Sequence, residues 1–242
     1  MTLEFTVGDL TIHRLIEQET TFLPALEMLP GLTPDVLAEN RAWMQQAGAL
    51  DARDVLILCF QSYVVKTPHH TILVDSCIGN DKPRPLRPSW NMKTDDTYLH
   101  ALGAAGFGVG DIDFVMCTHL HVDHVGWNTR LENGRWVPTF PNARYVFGKS
   151  EFDYWTEQNA MAPVPPFGDS VLPVVEAGKL TDLPHPRIPL PADIFSGRRN
   201  SAGHAMWDDA TRARLTGGIT RTLSSSIEAS ALVDGKAEMN GP

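Results

Sequence analysis

Seven consecutive residues decide how this chain is interpreted: Thr118-His119-Leu120-His121-Val122-Asp123-His124. They follow directly on 112–117, a short apolar run of the kind that forms a buried strand. Histidine nitrogen and aspartate oxygen are both common zinc ligands, and the potential ligands here are His119, His121, Asp123 and His124. Because they follow a strand, we expect them on a loop at its carboxyl end, where α/β proteins usually place their sites.

The spacing within this loop indicates how the four side chains could share metal ions. His119 and His121 are two residues apart, so both imidazoles can reach one ion from an extended turn. Asp123 and His124 can then point at a neighbouring position, so one loop could serve two metals. Without a metal, such a cluster would bury several polar groups at a strand end, which costs free energy. The pattern therefore favours a metal site.

Strand and helix patterns alternate around the loop up to about residue 176, which predicts an α/β fold. The runs typical of strands are 5–15, with a turn at Gly8-Asp9, then 54–65, 71–75, 112–117 and 144–147. Thr33-Pro34 is typical of a helix start, because threonine caps and proline suits the first helical position. Further helices are expected over 95–105 and from a cap at Ser150.

Composition and charge limit the classes of function. The chain has 242 residues, of which 43% are hydrophobic and 20% charged, as in globular proteins. Its formal net charge of −9 argues against a nucleic acid or an anionic membrane as partner, because both require a basic surface. No run is long enough for a membrane span, and no leader is expected at the N-terminus. The three cysteines match no disulfide pattern and are expected to be reduced.

We therefore expect a cytoplasmic protein that acts on a small molecule, while the sequence leaves the oligomeric state open.

After Lys179 the composition changes abruptly. Residues 180–242 contain one valine, no tyrosine, and six arginines against one lysine. We predict a domain over 1–178 and an atypical, poorly ordered segment over 179–242. A tail of different origin, such as a shifted reading frame, would explain the change.

The run from Thr118 to His124 resembles the HxHxDH signature of the metallo-β-lactamase superfamily. The surrounding residues 54–155 are similar to members of the lactonase-like and glyoxalase-like kinds, and the resemblance extends over about the first 178 residues. Asp75 matches an earlier aspartate of the family, which braces the metal loop. Gly126-Trp127 matches the glycine and bulky residue that often follow the motif. The resemblance implies a metallo-β-lactamase-like αββα sandwich, here with mainly its first half present and the second half incomplete.

By this resemblance the protein is a zinc-dependent hydrolase with one or two Zn²⁺ ions. His119 and His121 would bind the first metal, and Asp123 and His124 the second. Asp123 would also be catalytic, orienting the attacking water and passing its proton to the leaving group. Since bound zinc lowers the pKa of water to about 7, the expected substrates are esters, lactones or thioesters. A di-iron redox member is disfavoured, because iron would need more carboxylate ligands.

The family completes its site from the second half of the chain, with a further histidine in a GHTPGH-like segment and a bridging aspartate. His204 is the better candidate here for the third ligand, and Asp234 follows an apolar run but precedes a glycine. A catalytic zinc normally takes three protein ligands and a water. The alternative is therefore a catalytically impaired or inactive metal-binding homologue with an incomplete site.

Overall fold

The computed structural model describes residues 3–181. Within this range the strands are β1 (Leu3–Val7), β2 (Leu10–Pro24), β3 (Val55–Lys66), β4 (Thr71–Val74), β5 (Phe114–Met116), β6 (Thr129–Glu132), β7 (Arg135–Pro138) and β8 (Arg144–Val146). The helices are α1 (Ala25–Met28), α2 (Pro34–Gln46), α3 (Thr97–Ala104), α4 (Lys149–Met161), α5 (Pro165–Ser170) and α6 (Leu172–Glu176). Short 3-10 helices lie at Val109–Asp111 and Gly126–Asn128.

One mixed sheet organises the described residues, with the strand order β1-β2-β3-β4-β5-β8. Strands β1 to β4 pair antiparallel, whereas β4, β5 and β8 run parallel to one another. A parallel pair needs a crossover connection, and α3 lies in the connection between β4 and β5. The alternating pattern therefore predicted the α/β fold class correctly.

The main hydrophobic core lies against this sheet. It includes Leu15, Val64, Leu73 and Val115 from the strands, and it continues through Tyr98 of α3. A smaller cluster joins α1 and α2 to the start of β3 and contains Ala25, Leu37, Leu50 and Leu56. Cys59, Cys77 and Cys117 are all free, as expected, and the last two are buried.

Several local predictions are confirmed. The turn between β1 and β2 contains Gly8 at φ +59°, a left-handed conformation that glycine adopts without strain. The Thr33 side chain accepts a hydrogen bond from the Val36 amide and caps α2, with Pro34 at its first position. The expectation that Ser150 caps a helix is wrong, because α4 already begins at Lys149 and the preceding Gly148 occupies the cap.

The described chain ends beside the sheet. Thr181 donates a backbone hydrogen bond to the Tyr145 carbonyl at 2.8 Å, and Tyr145 donates to the Lys179 carbonyl at 2.9 Å. The predicted division at 178/179 otherwise concerns residues outside the described range, and it stays a prediction. No helix within residues 3–181 combines the length and apolar character needed to cross a membrane.

Candidate functional site

The parallel pairing of β4 with β5 brings two strand ends together. Asp75 follows β4 and Thr118 follows β5 after one intervening residue. The Asp75 amide donates to the Met116 carbonyl at 3.0 Å, and the Thr118 amide donates to Oδ1 of Asp75 at 2.7 Å. Asp75 has φ +59°, an unfavourable conformation for a non-glycine residue. This left-handed turn is where the chain leaves β4 and Asp75 meets the loop after β5.

The structure brings together all four predicted ligands. Nε2 of His119 lies 3.1 Å from Nδ1 of His121. Nε2 of His124 lies 3.5 Å from Oδ2 of Asp123. The ring centroids of His119 and His124 are 3.9 Å apart, so the two pairs are neighbours. The loop thus presents two donor pairs, His119 with His121 and Asp123 with His124.

Asp75 orients one imidazole in each donor pair. Its Oδ2 lies 3.0 Å from Nδ1 of His124, and it accepts a hydrogen bond from Oγ1 of Thr118 at 2.9 Å. Nδ1 of His119 lies 3.1 Å from Oγ1 of Thr118. With the hydroxyl proton of Thr118 assigned to Asp75, Nδ1 of His119 is the donor in this bond. Both hydrogen bonds place a proton on Nδ1 of the histidine. Nε2 of His119 then faces His121, and Nε2 of His124 faces Asp123. Bracing of ligands by a neighbouring carboxylate is common in metal sites.

The electrostatics of the loop favour a positive charge. Burial, followed by the neighbouring charges of His124 and His121, lowers the pKa of His119 to about 4. Burial also opposes the charged form of His124, but hydrogen bonds to Asp123 and Asp75 outweigh it and raise its pKa to about 10. Against its own burial, the hydrogen bond with His124 holds the pKa of Asp123 below its usual range. At pH 7 His119 is therefore a neutral imidazole, and the positive charge that Asp75 and Asp123 stabilise is that of the protonated His124. A metal ion bound by His124 would take the place of its Nε2 proton.

The donor pairs fit the spacing of metal ligands. Two donors bound tetrahedrally at zinc distances of 2.0–2.1 Å are roughly 3.3 Å apart. The observed separations of 3.1 and 3.5 Å lie on either side of that value. Within residues 3–181, however, no three histidine, cysteine, aspartate or glutamate side chains are arranged to hold one ion together. The described residues therefore fit two ligands for each of two ions and do not complete either set.

Close backbone contacts join this loop to the loop after β4. The Ser76 amide donates to the His124 carbonyl at 2.8 Å, and the Gly126 amide donates to the Cys77 carbonyl at 2.7 Å. A Cβ atom on Gly79 would lie 2.6 Å from the Gly126 backbone, and Gly79 has φ +79°. The two loops consequently behave as one unit, and Gly126 of the expected Gly126-Trp127 pair is needed for their approach.

Two further carboxylates hold the unit and were not singled out by sequence reasoning. Glu151 of α4 accepts hydrogen bonds from the Leu120 amide and from Nε1 of Trp155, each at 3.1 Å. Glu17 of β2 accepts a hydrogen bond from Nε1 of Trp127 at 2.7 Å. A signal existed for Glu17, because it shares the strand parity of the buried Leu15 and so falls on the core face. No local pattern marks Glu151.

The candidates for the remaining ligands, His204 and Asp234, lie outside the described residues. So does most of the atypical segment predicted for 179–242. Their relation to the donor pairs stays a prediction.

Comparison with known proteins places these features in a family. The family model described as the metallo-beta-lactamase superfamily matches residues 61–194, more than half of the chain. No curated protein matches.

Among solved structures, a hydrolase called AbOPH, in the beta lactamase superfamily, aligns at 20% identity with a TM-score of 0.56, covering 74% of this chain and 59% of that one. A probable metal-dependent hydrolase from Staphylococcus aureus aligns at 22% identity with a TM-score of 0.56, covering 73% of this chain and 60% of that one. AidC, a dizinc quorum-quenching lactonase in complex with a product, aligns at 20% identity with a TM-score of 0.54, covering 74% of this chain and 60% of that one. The chain thus shares their fold and spans about three fifths of their length.

Proposed function

The chain belongs to the metallo-β-lactamase superfamily, and on that premise we propose that it is a metal-dependent hydrolase acting on an ester, lactone or thioester. The observation that carries the proposal is the pair of donor sets at one strand end. His119 with His121, and Asp123 with His124, are spaced as ligands of one ion each. Asp75 orients one imidazole of each set, contacting His124 directly and His119 through Thr118.

The proposed cofactor is Zn²⁺, as one or two ions. Imidazole nitrogen and carboxylate oxygen are suitable zinc ligands, and the fold neighbour AidC is described as a dizinc enzyme. A catalytic zinc normally takes three protein ligands, and His204, beyond residue 181, is the candidate for the third ligand of the first ion. When bound, zinc would lower the pKa of a water molecule to about 7 and polarise the carbonyl of the substrate.

Asp123 is the proposed catalytic residue. Its pKa is held low by His124, so it is a carboxylate at neutral pH and can accept a proton from the attacking water. Water adds to the carbonyl carbon, the bond from that carbon to the leaving oxygen or sulfur breaks, and the proton passes from Asp123 to the leaving group. His119 and His121 would hold one ion and take no part in the proton transfer.

A hydrophobic cluster lies beside the loop. Val122 lies within residues 118–124, the ligand loop, and packs against a cluster that contains Phe60, Trp90 and Phe22. The rings of Phe22 and Trp90 stack at 5.7 Å between centroids. Phe60 and Trp90 are almost fully buried, so this cluster supports the loop from below.

The net charge of −9 and the three free cysteines support a small-molecule substrate, no nucleic-acid or membrane partner, and a cytoplasmic location.

The test combines metal analysis with a hydrolysis screen. The purified full chain is dialysed against Zn²⁺, its metal content is measured, and lactones, thioesters and aryl esters are assayed. We expect His121→Ala to lose metal and turnover together. His100→Ala is the matched control, because the His100 side chain on α3 is 80% exposed. Turnover that persists in metal-free protein would contradict the proposal.

One observation favours the alternative, a metal-binding homologue that is catalytically impaired. Within residues 3–181 each donor set has two members, fewer than the three that a catalytic zinc normally takes. Stoichiometric metal without hydrolysis of any substrate in the screen would support this alternative over the active enzyme.

A further inference from the structure

We propose that Glu17 is a positioning residue for the ligand loop, fixing it from a strand that begins about a hundred residues earlier in the chain. The inference rests on the proposed metal-binding role of that loop. Glu17 touches none of the proposed ligands. It acts through Trp127 and Ile78, which lie in the two joined loops.

The Glu17 carboxylate is fully buried and accepts three hydrogen bonds. Oε1 accepts from Nε1 of Trp127 at 2.7 Å and from Nζ of Lys93 at 2.8 Å. Oε2 accepts from the Ile78 amide at 2.6 Å. Short bonds to a charged acceptor are among the stronger hydrogen bonds in proteins. A single carboxylate thus links β2, the loop after β4 and the loop after β5.

An irregularity in β2 coincides with Glu17. Ile16 pairs with Gln61 of β3 and Gln18 pairs with Phe60, so the register shifts at Glu17, which has no partner residue across the strands. An extra residue of this kind bends a strand and redirects its side chain, and such bulges are common beside active sites. The Glu17 side chain keeps the core-facing parity of Leu15 and lies beneath the loops, at the point where the register shifts.

The connection from Glu17 to the ligands is short. Trp127 is three residues after His124, and its amide donates to the Ser76 carbonyl at 2.7 Å. Its indole ring stacks on Tyr98 at 5.3 Å with 11° between the planes, so the hydrogen bond to Glu17 sets the remaining degree of freedom of the ring. Ile78 in turn meets Gly126, where the two loops touch. Glu17 therefore determines where the ligand loop ends.

The charges around Glu17 separate its role from that of Asp75. Lys93 neutralises Glu17 and also donates to Asn80 at 2.7 Å and pairs with Asp95 at 3.2 Å. A neutralised carboxylate contributes little direct attraction for a cation. Loss of Glu17 would act on metal binding through geometry, since the Trp127 indole and the Ile78 amide would lose a buried acceptor.

The test compares Glu17→Gln with Glu19→Gln, an exposed glutamate on the same strand. Two quantities are measured on the full chain: hydrogen–deuterium exchange of the metal-free protein, and Co²⁺ affinity from visible absorption. For Glu17→Gln we expect at least about tenfold faster exchange in peptides over 76–80 and 124–128, with β3 unchanged, and Co²⁺ affinity weakened about 10- to 100-fold. Glu19→Gln should match wild type in both.

A purely structural role predicts a different result. In that case Glu17→Gln lowers the melting temperature but leaves loop exchange and the Co²⁺ spectrum and affinity at wild-type values, and the proposal is overturned. If Glu17→Gln does not fold, Trp127→Phe replaces it, because phenylalanine keeps a ring against Tyr98 and removes only the donor to Glu17 and part of the ring area. Faster loop exchange and weaker Co²⁺ affinity in Trp127→Phe then support the proposal, and wild-type values of both overturn it.

Failure of the proposed function would look different again. If wild-type protein takes up no Co²⁺, the metal-binding role fails, while the exchange data for the two loops still decide whether Glu17 positions them.

Discussion

Gly126 approaches Ile78 so closely that a Cβ atom on Gly126 would lie 1.9 Å from the Ile78 carbonyl group. This contact joins the ligand loop to the loop after β4. Backbone atoms occupy the space on the Ile78 side, so no side-chain rotation can relieve a clash. Only glycine fits at position 126, and the reason is steric and does not depend on any metal.

Gly126→Ala should therefore destabilise the protein by about 3 kcal/mol or more, because the two loops must move apart. The free energy of unfolding in urea measures the effect. Gly103→Ala is the control: it lies in α3, has open space at the Cβ position, and should be neutral or stabilising by up to about 1 kcal/mol. Equal stability of the two variants would show that the close contact is not present.

Asp75→Asn should weaken metal binding about 10- to 100-fold, because an amide cannot accept from both Thr118 and His124 as the carboxylate does. Zinc affinity determined by competition with a chelator checks this. Asp96→Asn removes an exposed carboxylate and should leave the affinity unchanged. An Asp75→Asn variant with wild-type affinity would contradict the bracing role described above.

The buried lysine Lys82 should make the free energy of unfolding depend on pH. Its side chain is 1% exposed, lies 3.7 Å from Asp169 and donates to Thr129 at 2.8 Å. Burial lowers its pKa to about 8, despite the opposing attraction of Asp169. Between pH 8 and its unfolded value of 10.5 the unfolded chain binds more protons at this site, so this contribution to stability rises with pH.

The comparison with Lys82→Met isolates the effect from other titrating groups. Wild type should gain up to about 3 kcal/mol relative to the variant between pH 8 and 10.5, as measured by urea unfolding. Below pH 8 the difference between them should be constant. A difference that falls as pH rises would have the wrong sign for a buried lysine.

Much of the first half could be predicted from sequence because its signals are local. The Thr33-Pro34 start of α2 and the glycine turn after β1 depend on one or two residues each. The ligand loop depends on six adjacent positions. Since β4 and β5 are parallel, their carboxyl ends share one edge, and Asp75 falls beside the loop as the resemblance implied.

The β6–β7 hairpin was missed although a local signal was present. Asn133-Gly134 forms the two-residue turn, with φ +52° and +76°, and this dipeptide is a strong hairpin signal. The strands on either side are short and polar, so their periodicity alone is weak.

Glu17 and Glu151 belong to a different class of omission. Their partners are 110 and 31 residues away in sequence, and such contacts follow from packing of distant elements. Glu17 alternates with buried residues along β2, which suggests that its carboxylate is buried and needs hydrogen-bond partners. The sequence does not indicate that these partners are Trp127 and Ile78.

The most direct test of the two donor pairs is a zinc titration followed by native mass spectrometry. Wild-type protein should bind one or two zinc ions, and the double variant His119→Ala, His121→Ala should bind at least one fewer. The control His69→Ala, His70→Ala removes two exposed histidines from the β3–β4 turn and should bind as wild type does. Zinc stoichiometry that is zero in wild type, or unchanged in the His119/His121 variant, would contradict the account.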